Sequence, residues 1–276
     1  KLMITNPSSN SFVNSVDILF STSEPLIEAE MVWVGEGAGS QNFPLREEDL
    51  SIGNHILSKY GIKPLEKTYY SIHITGKDRA TNESSSDTIS QITFDITPPE
   101  FVISSPLSGS PVNSTKISFS ISEALSKGSI TWESISGTDN DSPHVIKLKD
   151  DQMSGGDFVD FQFDEPPELK DGVIYHITLN GTDLAGNEGQ YARVENILYD
   201  ITPPNFVDLL PQKDEFINVA NISYTLTEDL SEGKIVFVNV GGVDDPNKEY
   251  FITLAETKKN KGKQGGKLPT SIVSLV

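Results

Sequence analysis

One short string recurs in this chain together with its surroundings. DITPP occupies Asp95–Pro99 and again Asp200–Pro204, 105 positions apart. A fixed period constrains a fold more than local propensity does, because each copy must form the same unit and pack by the same rules. The flanking residues match as well. EFVISSPLSGSPVNS (Glu100–Ser114) pairs with KLMITNPSSNSFVNS (Lys1–Ser15), and NFVDLLPQKDEFINV (Asn205–Val219) is a looser third copy. VDILFSTSEPL, KISFSISEAL and NISYTLTEDL follow from Val16, Lys116 and Asn221, and then MVW, ITW and IVF from Met31, Ile130 and Ile235. The first two copies close on HITGKDRATN (His73–Asn82) and HITLNGTDLAGN (His176–Asn187).

The period sets the expected organisation: one domain over residues 1–97, a second over 98–202, and an incomplete third over 203–276. Lys1 aligns with Glu100, the residue after the second proline of DITPP. At the other end Glu249–Gln264 matches His144–Phe158, so the third copy lacks its C-terminal strands and its own TD-x-AGN segment. The expectation is a piece of a longer array, in keeping with the lack of a leader, an anchor or an initiator Met.

Each copy reads as short strands of period two, separated by turns rich in Gly, Pro, Asn, Asp and Ser. Ile117, Phe119 and Ile121 alternate with serines, and Ile18/Phe20 and Ile222/Tyr224/Leu226 take the same places. Ile130/Trp132, Tyr175/Ile177/Leu179 and Ile197/Tyr199/Ile201 continue the alternation, and no segment sustains a 3.6-residue apolar period. Units of about 100 residues with about seven strands predict antiparallel β-sandwiches of immunoglobulin-like type, all-β and in tandem. Trp33 and Trp132 are the expected core anchors, with Tyr70 and Tyr175 at tyrosine corners.

The TD-x-AGN turn, the closing strand and the D-x-TPP junction together resemble bacterial immunoglobulin-like repeats of large surface and secreted proteins. The resemblance covers two copies fully and the third in part. Copy one departs from it, with Thr81 where the turn has glycine. The resemblance implies tandem sandwiches joined by short Thr-Pro-Pro linkers. Such modules serve as stalks, adhesin rods and enzyme accessories alike. Thr-Pro-Pro itself favours extended geometry and removes two backbone donors, which makes a stiff spacer; the simpler reading is that Pro-Pro ends a strand.

Composition narrows the function classes. Forty acidic against 21 basic side chains give a net charge of -19, contrary to the basic face that nucleic acid or an anionic membrane requires. No stretch approaches the about 18 apolar residues of a membrane span. The absence of cysteine excludes disulfides, thiolate metal sites and cysteine nucleophiles.

Acidic residues recur at the strand ends. Counting by two from Ile117 reaches Glu123, and from Tyr175 reaches Asp183, both in core register where their strands give out. In an immunoglobulin-like sandwich these strands end at the pole that receives the preceding linker, here carrying Asp95. Glu24 and Asp78 repeat the pair at the N-terminal pole, and Glu228 with Asp200 begins it at the next junction. One reading is an interdomain Ca²⁺ site, since calcium takes six to eight oxygen ligands and would offset repulsion along an acidic rod. The other is that Glu123 and Asp183 accept loop N–H bonds, with Asp183 organising an Asx turn.

The remaining candidates carry less. His73 and His176 fall in the outward register of one strand, and His55 and His144 lack partners at metal-ligand spacing. Gly35–Gly39 and Gly241-Gly242 read as turns, and Glu47-Glu48 and Asp150-Asp151 as solvated loop charge. Lys258, Lys259, Lys261, Lys263 and Lys267 form the one basic cluster, read as a solvated loop or a contact for an acidic partner. Sequons at Asn82, Asn113, Asn140, Asn180 and Asn221 matter only in a glycosylating host.

The expected function is a non-enzymatic structural or adhesive protein, a semi-rigid rod, stalk or fibre at the bacterial cell surface. The alternatives are an accessory array of a large secreted enzyme and the ectodomain of a membrane receptor. Expected partners are neighbouring copies or domains of the same long protein, with a surface glycan or another cell-surface protein beyond them. Calcium is the one cofactor expected. A third domain without its last strands would also expose an edge open to donor-strand pairing.

Overall fold

The computed structural model describes residues 1–58, 60–84, 87–149, 151–217, 221–241 and 249–267. It is all-β apart from short 3-10 turns. The chain divides into two compact units, Lys1–Ile201 and Thr202–Val276.

The first unit holds two sandwiches built alike. The strands of repeat one are β1 (Leu2–Asn6), β2 (Phe12–Val13), β3 (Ile18–Thr22), β4 (Leu26–Gly35), β5 (Gly39–Pro44), β6 (Gly53–Leu57), β7 (Tyr69–Asp78) and β8 (Asp87–Phe94). They form a sheet β1-β3-β6 facing a sheet β2-β8-β7-β4-β5. Repeat two runs β9 (Phe101–Ser105), β10 (Pro111–Val112), β11 (Ile117–Ile121), β12 (Leu125–Ser136), β13 (His144–Lys147), β14 (Gly156–Phe161), β15 (Val173–Asp183) and β16 (Ala192–Tyr199). Its sheets are β9-β11-β14 and β10-β16-β15-β12-β13, the same order. The pairing is antiparallel, as expected, except that the two-residue strands β2 and β10 run parallel to β8 and β16. The physical reason is that the first edge of each sandwich is shared: β1 and β9 pair in one sheet, and the chain then crosses to the other.

The alternating residues make the cores. Ile18, Phe20, Trp33, Ile72 and Ile74 are buried in repeat one, and Ile117, Phe119, Trp132, Ile177 and Leu179 in repeat two. Burying such a side chain contributes about 1.5–3 kcal/mol, so these two clusters hold the sandwiches without disulfides. Each tryptophan meets a tyrosine edge-on, Trp33 with Tyr70 and Trp132 with Tyr175. The Tyr70 hydroxyl accepts the N–H of Leu65 at 2.6 Å, and that of Tyr175 the N–H of Lys170 at 2.9 Å. These are the expected tyrosine corners.

Period two fails at one matching place in repeats one and two, among other register shifts. In β8 and β16 a bulge puts Gln91 (φ 56°) and Asn196 (φ 60°) in the left-handed region. The extra residue puts Ile89 with Ile92, and Val194 with Ile197, on the core side three apart. Ile201, expected to continue the alternation, lies beyond β16 and is exposed.

The second unit has β17 (Phe206–Leu210), β18 (Asn221–Leu226), β19 (Lys234–Val238), β20 (Glu249–Thr253) and β21 (Gly262–Lys267). They form sheets β17-β18-β21 and β19-β20. Leu254 N donates to Gly233 O, just as Leu148 N donates to Gly128 O and Leu45 N to Ala29 O, so the third copy keeps the register of the others. Among the described residues its buried core is Tyr224, Leu226 and Leu254, and no strand corresponds to β7–β8 or β15–β16.

Candidate metal centre at the joint between repeats

β11 ends at Ile121 and β15 at Asp183, in opposite sheets, so Glu123 and Asp183 arrive at one pole of repeat two. β8 ends at Phe94 and delivers Asp95, whose N–H donates to Val13 O at 2.9 Å. Carboxylate oxygens of Asp95, Glu123 and Asp183 lie within 4.8 Å of one another. Asp95 and Asp183 are buried and Glu123 is half-buried.

Asp183 shapes its own turn. Its Oδ1 accepts the N–H of Asn187 at 2.8 Å and its Oδ2 the Asn187 side-chain amide at 2.7 Å. Its backbone N–H donates to Asn187 O at 3.1 Å. The loop N–H bond anticipated for Asp183 is present, but it comes from four residues on rather than the two of an Asx turn, and it stands alongside the convergence with Asp95 and Glu123. Asp95 Oδ1 accepts the N–H of Thr97 at 3.0 Å, which fixes the start of the linker. An ionised carboxylate offers about four acceptor sites, so these bonds leave oxygens of the trio able to take a cation.

The charges are crowded. Burial pushes the Glu123 carboxyl up, and Asp95, Asp183 and Glu66 push it further, while Lys67 opposes them. Glu66 and Lys67 come from the turn before β7 and were not anticipated. Glu66 accepts from the Thr97 hydroxyl and from the N–H of Ile96 at 3.3 Å, and the Thr97 bond leads in holding its carboxyl below the usual value. No pattern in the sequence marks this pair, because the turn reaches the joint only once both sheets have formed.

The other predicted ligands stand apart from this trio. Glu24 lies 3.3 Å from the chain's amino group, and Asp78 accepts from Asn82 much as Asp183 accepts from Asn187. Asp200 N–H donates to Val112 O at 2.9 Å, and Glu228 sits half-buried after β18 in the second unit. Among the described residues, none of these four joins a group of three metal-ligating side chains.

Several lesser expectations are revised. Glu47 and Glu48 lie in a 3-10 turn, Glu47–Leu50, and Asp151 precedes another, while Asp150 and Gly242 lie outside the described residues. The basic cluster is no open loop: Lys258 Nζ donates to Gly265 O at 2.6 Å, Lys259 Nζ to Ser231 O at 2.7 Å, and Lys263 lies in β21. His144 has a buried partner that spacing did not reveal. Its Nε2 donates to Asp139 Oδ2 at 2.7 Å, and the Tyr175 hydroxyl donates to the same oxygen at 2.6 Å. Burial alone would raise Asp139, but the bonds from Tyr175 and His144 hold it down to about 2. Burial, followed by the Asp139 bond, pushes Tyr175 up to about 12. This network braces the tyrosine corner within repeat two.

The strand order and the two facing sheets define a tandem immunoglobulin-like β-sandwich protein. No protein-family model matches the chain, and no curated protein sequence does. Among solved structures, the chain is similar to the fibronectin(III)-like modules of Clostridium thermocellum CbhA (11% identity, TM-score 0.36, 72% of this chain and 94% of that one). It is similar also to the chicken CNTN1 FN1–FN3 domains (15%, 0.34, 70% and 67%). A third likeness is to a tetra-tandem repeat in the extending region of a large adhesion protein (14%, 0.32, 96% and 65%). What those proteins do is a property of those proteins. No helix among the described residues is long and apolar enough to cross a membrane.

Proposed function

We propose that this chain is a non-enzymatic structural and adhesive segment of an extracellular array at the bacterial cell surface. Its repeats, over residues 1–97, 98–202 and 203–276, are set in a semi-rigid row, and calcium stiffens the joint between the first two. Its partners are neighbouring domains or copies of the same long protein, with a surface glycan or another cell-surface protein as the outer contact.

The observation that carries this reading is the meeting of Asp95, Glu123 and Asp183, from a linker and two strand ends, at one point between repeats. Three carboxylates at this spacing repel one another unless a cation or protons intervene, and burial first, then the charges of Asp95 and Asp183, push the Glu123 carboxyl up. Calcium accepts hard oxygen ligands in flexible number, and extracellular modules hold it at about 10⁻⁴–10⁻³ M. A cation bound only to the docked joint converts binding free energy into rigidity. With calcium at tenfold its Kd, the linkage is worth about 1.4 kcal/mol.

The test is a thermal melt of the full chain in millimolar calcium and in chelator, with elemental analysis of the dialysed protein. A higher Tm in calcium and retained metal are expected. Identical melts with no calcium retained would contradict the calcium-stiffened joint.

A further inference from the structure

Two residues of repeat two meet the linker at its backbone. The Asn187 side-chain amide, besides its bond to Asp183, donates to the backbone carbonyl of Asp95 at 2.9 Å. Gly189 lies so close to the linker that a Cβ there would stand 2.3 Å from Pro99 O and 2.4 Å from the Phe101 ring. The first of these is a backbone atom, which cannot swing away. Gly186 is less tight: a Cβ there would make ordinary contact, 3.6 Å from the Asn14 side-chain nitrogen of repeat one.

Repeat one carries the same pole with different residues. Asn82 bonds Asp78 as Asn187 bonds Asp183. The place of Gly189, fixed by its N–H to Gly181 O, is taken by Ser84, whose N–H donates to Gly76 O. The bridges Thr182↔Glu188 and Lys77↔Glu83 set the same register one residue earlier. Ser84 also turns its hydroxyl to the Gly76 N–H at 2.9 Å. Thr81 stands for Gly186.

We infer that the pole of repeat two is a receptor for the Asp-Ile-Thr-Pro-Pro linker of the repeat before it, with Asn187 and Gly189 as its specificity-determining residues. The pole of repeat one, with Ser84 in the glycine position, does not take such a linker in this pose. Docking thus has an address in the sequence, Asn followed two residues later by Gly. It is read through backbone atoms and stands whether or not an ion binds.

The absence of cysteine allows a clean test on the full chain. Ile52→Cys and Val159→Cys, at exposed positions of repeats one and two, carry spin labels for a distance distribution across the joint. In chelator, to remove any contribution from calcium, the parent chain gives one narrow distribution. Gly189→Ser broadens it, and Ser84→Gly leaves it unchanged. An unchanged distribution in Gly189→Ser overturns the inference. Should Gly189→Ser unfold repeat two, hydrogen exchange decides. Asn187→Ala then loses about fivefold more protection in β15 than Asn82→Ala loses in β7, the worth of one further hydrogen bond. Equal losses also overturn it.

Discussion

The turn from Asp78 to Asn82 and the turn from Asp183 to Asn187 are one piece of chemistry in two surroundings. The carboxylate bonds are 2.9 and 2.8 Å in the first and 2.8 and 2.7 Å in the second. Yet Asp183 is only 2% exposed, while Asp78 is half-buried and bonds from Asn82 lead in lowering its carboxyl. The turn therefore belongs to the repeat. What the neighbour adds is Asp95, Glu66 and Lys67, and with them a crowd of charge that only a docked joint can have.

Setting the repeats against each other also orders the expected effects of substitution. The largest falls on the tyrosine corners. Tyr175→Phe removes an acceptor for Lys170 N–H and a donor to the buried Asp139 carboxylate, and costs about 2–3 kcal/mol. Tyr70→Phe loses the Leu65 contact, and costs about 1 kcal/mol. Denaturant midpoints of the two variants measure the difference, and equal costs would remove any special role for Asp139.

The turns come next. Gly186 has φ +95° and Thr81 φ +64°, so threonine does adopt the left-handed region that the repeat pattern gives to glycine. Gly186→Ala should destabilise repeat two by about 1 kcal/mol, and Thr81→Gly should stabilise repeat one by about 0.5–1 kcal/mol. A loss of stability in Thr81→Gly would show that the threonine side chain contributes more than its backbone strain removes.

A smaller difference separates the tryptophans. Trp33 Nε1 donates to Met31 Sδ at 3.3 Å, whereas Trp132 Nε1 is buried with no partner among the described residues. Ile130 occupies the place of Met31, so Ile130→Met supplies a sulfur acceptor and should raise the stability of repeat two by about 0.5 kcal/mol. A melt of this variant that matches or falls below the parent would show that repacking outweighs the bond.

The smallest effect is on pH dependence. The Glu123 carboxyl is raised in the folded chain, so the folded state takes up its proton at higher pH than the unfolded state does. Without calcium, stability at the joint should rise slightly as pH falls from neutral to the ordinary carboxylate range, and be lost again as pH climbs through the raised value. Glu123→Gln should flatten that slope. Asp139, held at about 2, has the opposite sign, and its contribution disappears only as pH falls below about 4.

Much of this was legible in the sequence, for a physical reason. Period two and the repeat are properties of contiguous residues, so the core set around Trp33 and Trp132 follows from counting. The same counting carried Glu123 and Asp183 to strand ends at one pole. It stopped where the period breaks: the bulges at Gln91 and Asn196 shift the register, and the parallel pairing of β2 with β8 has no local signature. Contacts between distant segments were equally hidden. Glu66 reaches the linker from a turn, His144 finds Asp139, and Asn187 serves both its own turn and the carbonyl of Asp95. A side chain with a local role gives no sign of a second, remote one.

Under the proposed function, docking gathers Asp95, Glu123 and Asp183 into a cation site. Calorimetric titration of calcium into the full chain, beside Glu123→Gln and Glu24→Gln, tests it most directly. Saturable binding is expected that loses one equivalent in Glu123→Gln and is unchanged in Glu24→Gln. No saturable binding, or the same binding in Glu123→Gln as in the parent, would contradict it.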